Sequence, residues 1–373
     1  MPLKRIMQAA LLGVALGAPA ALADDLKIAV AGPMTGQLAN IGDQFKQGAQ
    51  AAAAAINEKG GVKGRQIKLV FEDDVCDPKQ AVSIANRIVA EGIKFVDGHA
   101  CSGSSIPASA VYAEAGVLMM TPASSNPDLT EAAAKKGWST IMRLYTRDDG
   151  QGEFVGPWIA KTYKGKRVVI LHDKGAYGKG LADAVKGKMN ESGLKEVLYE
   201  GINAGDKDYS ALITKLKEAK ADFVYFGGYH PEAGLILRQA ADQNVKFQLM
   251  MGDSIASPEF WAVAGKTGEG VMFTFPANPQ ARPEAKAAVE KIKASGFTPD
   301  GFTLFSYAVV EAIAQGVERA GSDDAVKVAA ALKDGKPVNT VVGAVVFDEK
   351  GDIKDAKYDI NVWHDGAYTA MKP

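Results

Sequence analysis

The sequence predicts an α/β chain of two lobes, each a parallel sheet with helices on both faces. Three observations carry this. Short β-branched runs alternate with amphipathic stretches, the alternation breaks off near mid-chain and restarts, and several apolar runs end in loops of small polar residues. At 373 residues and 47% hydrophobic, the chain can bury two cores of ordinary domain size.

The elements follow in order. A strand at 26–30 precedes a helix at 43–58; 67–71 precedes 79–91; 95–98 precedes 106–115; and 117–120 follows. The set then repeats. Residues 168–171 lead to a helix at 180–192, 197–199 to 209–219, 223–226 to 231–243, and 247–251 closes the second set. In the first lobe the third and fourth strands run into Ala100-Cys101-Ser102 and Ala123-Ser124-Ser125. In the second the matching ends carry Gly227-Gly228-Tyr229-His230 and Gly252-Asp253-Ser254. Open α/β sheets bind ligands outside the carboxyl ends of their strands, so two such edges facing each other make a cleft. Loops of small residues that open helices offer N–H groups and hydroxyls to a small anion.

The first 23 residues differ in kind. Lys4 and Arg5 give a positive start, 9–18 is an apolar helix-forming run, Pro19 breaks it, and Ala21-Leu22-Ala23 is a small-x-small cleavage site. A secretory signal peptide at 1–23 is expected. The apolar run is too short for a membrane anchor, and no later segment is long and apolar enough to span a bilayer. The mature chain should therefore be exported and soluble. In an oxidising compartment the only two cysteines, Cys76 and Cys101, are expected to form a bridge that pins the Ser102 loop. Closing that loop contributes ~3 kcal/mol on the chain-entropy view. A formal net charge of −1 from interspersed acids and bases, with no basic run, argues against nucleic acid as a partner.

The stretches DDVCDPKQAVSIANRIV, GHACSGS, LMMTPAS, VILHDKGAYGKGLA, DFVYFGGYHPEAGLILRQA and FDEKGD resemble the leucine/isoleucine/valine-binding proteins, periplasmic receptors of branched-chain amino-acid uptake. The resemblance runs in order over nearly all of the chain after residue 23. It implies a two-lobed type I periplasmic binding fold in which the chain crosses between lobes three times. Lobe one is then 24–143 and 273–343, and lobe two 144–272 and 344–373. It also implies a monomer that needs no cofactor or metal, closes over an amino acid, and delivers it to an inner-membrane ABC permease.

Site roles follow from the same resemblance. Ser102 should bind the ligand carboxylate through its hydroxyl and N–H at a helix N-terminus. Ser125 should add its N–H there and its hydroxyl to the ammonium, and the Ala123 carbonyl is a second ammonium acceptor. Asp253, from the opposite lobe, supplies the countercharge. Tyr177 and Tyr229 should cover the ligand from lobe two, with Ile41, Ala100 and Phe302 at the side-chain wall. Taken singly, such residues are ordinary helix caps, packing aromatics and core; their shared place at strand-to-helix edges matching the family motif argues otherwise.

Several positions depart from the family. Ile41 stands where relatives often carry an aromatic, Ala100 replaces a larger aliphatic residue, Ser125 replaces threonine and Asp253 replaces glutamate. A broad neutral amino-acid range, or γ-aminobutyrate, therefore stays open as the ligand. A ligand-sensing receptor stays open as the output. An exported hydrolase is the remaining class, but Gly252-Asp253-Ser254-Ile255-Ala256 lacks the second glycine of a nucleophile elbow. The four histidines also show no zinc spacing.

Overall fold

The computed structural model describes residues 24–371; the expected signal peptide at 1–23 lies outside them. The chain opens with β1 (Leu26–Gly32), α1 (Ala39–Asn57), β2 (Ile67–Asp73), α2 (Pro78–Ala90), β3 (Phe95–Gly98), α3 (Ser102–Glu114), β4 (Leu118–Thr121), α4 (Asp128–Lys135) and β5 (Ile141–Arg143). These strands pair in the order β2-β1-β3-β4-β5, all parallel. The fully buried β3 and β4 show no alternation of apolar and polar residues, because helices cover both faces.

A second unit follows: α5 (Asp148–Thr162), β6 (Val168–His172), α6 (Ala176–Glu191), β7 (Leu198–Gly201), α7 (Ser210–Glu218), β8 (Phe223–Gly227), α8 (His230–Asp242), β9 (Gln248–Met251), α9 (Pro258–Ala264) and β10 (Met272–Pro276). The rest comprises α10 (Lys286–Ala294), α11 (Thr303–Ala320), α12 (Ala325–Leu332), β11 (Val338–Thr340), β12 (Gly343–Val345), β13 (Tyr358–His364) and β14 (Ala367–Ala370). The second sheet has the order β14-β13-β10-β9-β8-β6-β7, parallel from β7 to β10 and antiparallel beyond.

On the first sheet α2 and α3 cover one face, where Ile84, Ile88 and Tyr112 pack with Ala29, Val96 and Met119. On the other face α1 lies against α11. Their backbones meet at Gly48, where a Cβ would come within 2.0 Å of the Thr303 carbonyl oxygen, so any side chain there would push α11 away.

Three expectations need correction. Helix α3 starts at Ser102, four residues before the amphipathic pattern at 106 becomes visible, because its first turn is made of small buried serines with no periodic signal. The boundary set at 273 falls inside β10, whose Phe273 pairs with Met251 and Asn361 in the seven-stranded sheet. The chain therefore returns to the first unit only after Pro276. Likewise 344–345 lie in the β11–β12 hairpin, and Asp352 still bridges to Arg143 at the end of β5, so the final crossing comes between there and β13.

Candidate functional site

The loop after β3 is tied down from three directions. Cys101, at the N-cap of α3, is disulfide-bonded to Cys76, with Cα atoms 5.6 Å apart. His99 Nδ1 lies 2.7 Å from Asp74 Oδ2 and its Nε2 3.0 Å from the Tyr112 hydroxyl, all fully buried. The His99 carbonyl accepts from Thr121 Oγ1 at 2.7 Å, which links this loop to the end of β4.

The loop after β4 is held by a buried arginine. Arg143 Nη1 donates to the carbonyls of Ser124 and Asn126 at 3.0 and 2.9 Å, while Nε donates to Asp352 Oδ1 at 2.8 Å. Thr121 Oγ1 accepts from the Ser124 N–H at 2.9 Å, and Ser102 Oγ accepts from the Asn126 N–H at 3.3 Å. With an oxygen lone pair so engaged, the Ser102 hydroxyl proton is free to donate elsewhere. Ser102 and Ser125 are each 1% exposed, and among the described residues Ser125 Oγ has no hydrogen-bond partner.

From the other lobe comes Asp253, in a turn of 3-10 helix after β9 and 3% exposed. Tyr177, in the first turn of α6, donates its hydroxyl to Asp253 Oδ1 at 2.6 Å, and Gln151 Nε2 donates to Oδ2 at 3.5 Å. Thr274 Oγ1 donates to Gln151 Oε1 at 2.6 Å and so fixes the direction of that amide. Burial pushes the Asp253 carboxyl up, and the hydrogen bonds from Tyr177 and Gln151 offset this only in part. Tyr229 packs on Tyr177 with ring centroids 5.2 Å apart.

These groups meet around one cavity between the lobes. Lobe one lines it with Ile41, Ala100, Ser102, Ala123, Ser125 and Phe302, and lobe two with Tyr177, Tyr229, Asp253 and Ser254. All nine residues singled out in the sequence are thus brought together. Phe302 stands at the N-cap of α11, its N–H donating to Gln44 Oε1 at 2.9 Å, and Tyr145 packs edge-on behind it at 5.3 Å. The arrangement offers hydroxyls and N–H groups on one wall, a carboxylate on the facing wall, and apolar surface at the side. That set of groups can match an anion and a cation carried by one small molecule.

Over residues 25–366 the sequence matches the periplasmic binding protein family. The chain belongs to that family. It is 48% identical over 342 residues to the Leu/Ile/Val-binding protein homolog 2 of Brucella abortus, covering 92% of this chain and 91% of that one. Among solved structures it is similar to a leucine-binding protein of Thermotoga maritima (TM-score 0.85, 29% identity, 93% and 98% covered). It is also similar to a branched-chain amino acid transporter substrate-binding protein of Streptococcus pneumoniae in complex with isoleucine (TM-score 0.83, 27% identity, 94% and 100% covered).

The sequence reading missed part of this periplasmic binding protein's site. Ser254 lines the cavity, with its Oγ donating to the Gly228 carbonyl at 2.6 Å; its hydroxyl proton is committed, so it is not poised as a nucleophile. Gln151 and Asp148 are buried on α5, a helix with a weak amphipathic signal because glycines and aspartates crowd its first turns. Arg143 and Asn126 act through backbone carbonyls that no sequence pattern reveals.

Proposed function

We propose that this chain is exported to the periplasm, binds a neutral aliphatic amino acid with branched-chain members preferred, and hands it to an inner-membrane ABC permease. The observation that carries this reading is Asp253 of one lobe facing Ser102, Ala123 and Ser125 of the other across the cavity between them. Ser102 and Ser125 take the ligand carboxylate with hydroxyl and N–H donors at the positive end of α3. Asp253, Ser125 Oγ and the Ala123 carbonyl take the ammonium. The side-chain wall of Ile41, Ala100 and Phe302 carries no charge, so a lysine or glutamate side chain would be buried unpaired, at a cost of several kcal/mol. Both ligand charges are matched only when the lobes are together, so ligand favours the closed state. The named relatives and the isoleucine and leucine structures support the same ligand class.

Calorimetry with a panel of amino acids tests the reading. Leucine, isoleucine and valine should bind, and small-angle scattering should show the protein contract at saturating ligand. Binding of γ-aminobutyrate or alanine with none of the three would replace the ligand assignment.

A further inference from the structure

Asp148 is the first residue of α5, fully buried, and neither of its carboxylate oxygens has a hydrogen-bond partner among the described residues. Its neighbour Ser125 is tied to it by the backbone, the Asp148 N–H donating to the Ser125 carbonyl at 2.9 Å, and Ser125 Oγ is also unpartnered. The Ser125 hydroxyl draws the Asp148 carboxyl down, and neither group has another hydrogen-bond partner among the described residues. A second buried carboxyl group thus stands behind Ser125, next to the cavity that Asp253 lines.

Their surroundings differ. Asp253 receives the Tyr177 hydroxyl and the Gln151 amide. Asp148 receives no such donor. The charged groups around Asp148 do not supply one: Arg143 is bound to Asp352, Thr130 and two carbonyls, and Asp149 is paired with Arg147. Tyr177 on α6, Tyr225 on β8 and Tyr358 on β13 face the same region, and burial keeps each phenol protonated. The positive end of α5 favours an anion at this position by about 1 kcal/mol, less than burying an unpaired carboxylate costs. Two like charges in one dry site push the proton onto the group with fewer donors. Burial first, and then Asp253, push the Asp148 carboxyl well above the usual carboxylate range.

We propose that Asp148 enters the closed site as a neutral carboxylic acid whose O–H donates to Ser125 Oγ, turning that hydroxyl into an oriented acceptor for the ligand ammonium. Asp148 is thereby a positioning residue that acts through Ser125, and the inference rests on the amino-acid reading of the site above. Closure then takes up a proton. Because the binding-competent form is the protonated one, affinity is full at low pH and is lost as pH rises through the value Asp148 has in the closed state.

Leucine calorimetry on the wild type, Asp148→Asn and Asp148→Ala tests this. Asparagine reproduces the neutral donor without needing a proton, so at low pH it should bind within about threefold of the wild type, and as pH rises it should keep that affinity while the wild type weakens, whereas alanine should lose at least about tenfold at low pH. An asparagine variant as weak as the alanine variant would mean that an ionised Asp148 is needed, and two variants equal to the wild type would mean that it does not act; either result overturns the proposal. A ligand-free readout separates this from failure of the functional reading. At mildly alkaline pH Asp148→Asn should melt no lower than the wild type, since it removes the cost of burying a carboxylate. If leucine, isoleucine and valine all fail to bind the wild type, the functional reading falls and melting decides for Asp148: an asparagine variant that melts well below the wild type overturns it.

Discussion

Asp253 and Tyr177 set the electrostatics of the cleft together. A carboxylate buried to this degree keeps its charge only if donors replace lost water, and the Tyr177 hydroxyl at 2.6 Å is the strongest of those present. Asp253→Ala would strand the ligand ammonium in a dry cavity, so leucine affinity should fall by at least ~3 kcal/mol, or more than about a hundredfold. Tyr177→Phe removes one donor and leaves the ring packed on Tyr229; titration calorimetry should show a loss of roughly 1.5–3 kcal/mol. A leucine affinity unchanged in Asp253→Ala would show that the ammonium sits elsewhere.

At the scale of elements, the loops that open α3 and lead to α4 are held by covalent and ionic ties rather than by apolar contacts of their own. The Cys76–Cys101 bridge fixes the N-cap of α3. Protein recovered from the periplasm should show no alkylatable thiol by mass spectrometry, and replacing both cysteines by serine should cost about 2–5 kcal/mol in denaturant unfolding. The second tie is ionic. Burial raises the Asp352 carboxyl, but Arg143 and Arg147 more than offset this and hold it below its ordinary value. A depressed folded-state value stabilises the fold above the unfolded-state value, about 3.9, and that contribution is lost as pH falls through the folded value. Asp352→Asn should therefore melt well below the wild type at neutral pH, by roughly 3 kcal/mol, with the gap narrowing in acid. A gap independent of pH would contradict the ion-pair account.

Across the whole molecule, closure is held by contacts that never touch the cavity. Asn126 Nδ2 donates to the Ala176 carbonyl at 2.6 Å, joining the residue beside Ser125 to the residue beside Tyr177. Asn40 Nδ2 donates to Ser257 Oγ at 3.1 Å on another part of the interface. Gly180 makes room for the first link, since a Cβ there would fall 2.6 Å from the Asn126 amide nitrogen. Such a latch stabilises the closed state whatever the ligand. Asn126→Ala should weaken leucine, isoleucine and valine by the same factor, about three- to tenfold, through faster dissociation. Stopped-flow measurements that find the loss confined to one of the three would point instead to a distorted pocket.

Much of this architecture is written in local sequence. Alternating apolar runs and amphipathic stretches specify the βα order because burial on both faces of a parallel sheet leaves continuous apolar strands, and small polar residues at strand ends mark the edges where ligand can sit. Motif resemblance brought in Ser102, Ser125, Tyr177, Tyr229 and Asp253. The start of α3 was not legible, since four small residues carry no period. Nor was the placement of β10, because a lone apolar strand does not say which sheet it joins. The buried Arg143, Gln151 and Asp148 were read past for a related reason: side chains that are usually solvated become determinants only when distant segments exclude water around them. Sequence alone determined the elements, their order and the chemical types at the strand ends, which depend on neighbours in the chain. Tertiary structure alone decided which carboxylate is paired and which is bare, because hydrogen bonding and desolvation are set by groups more than a hundred residues apart, such as Gln151 and Asp253.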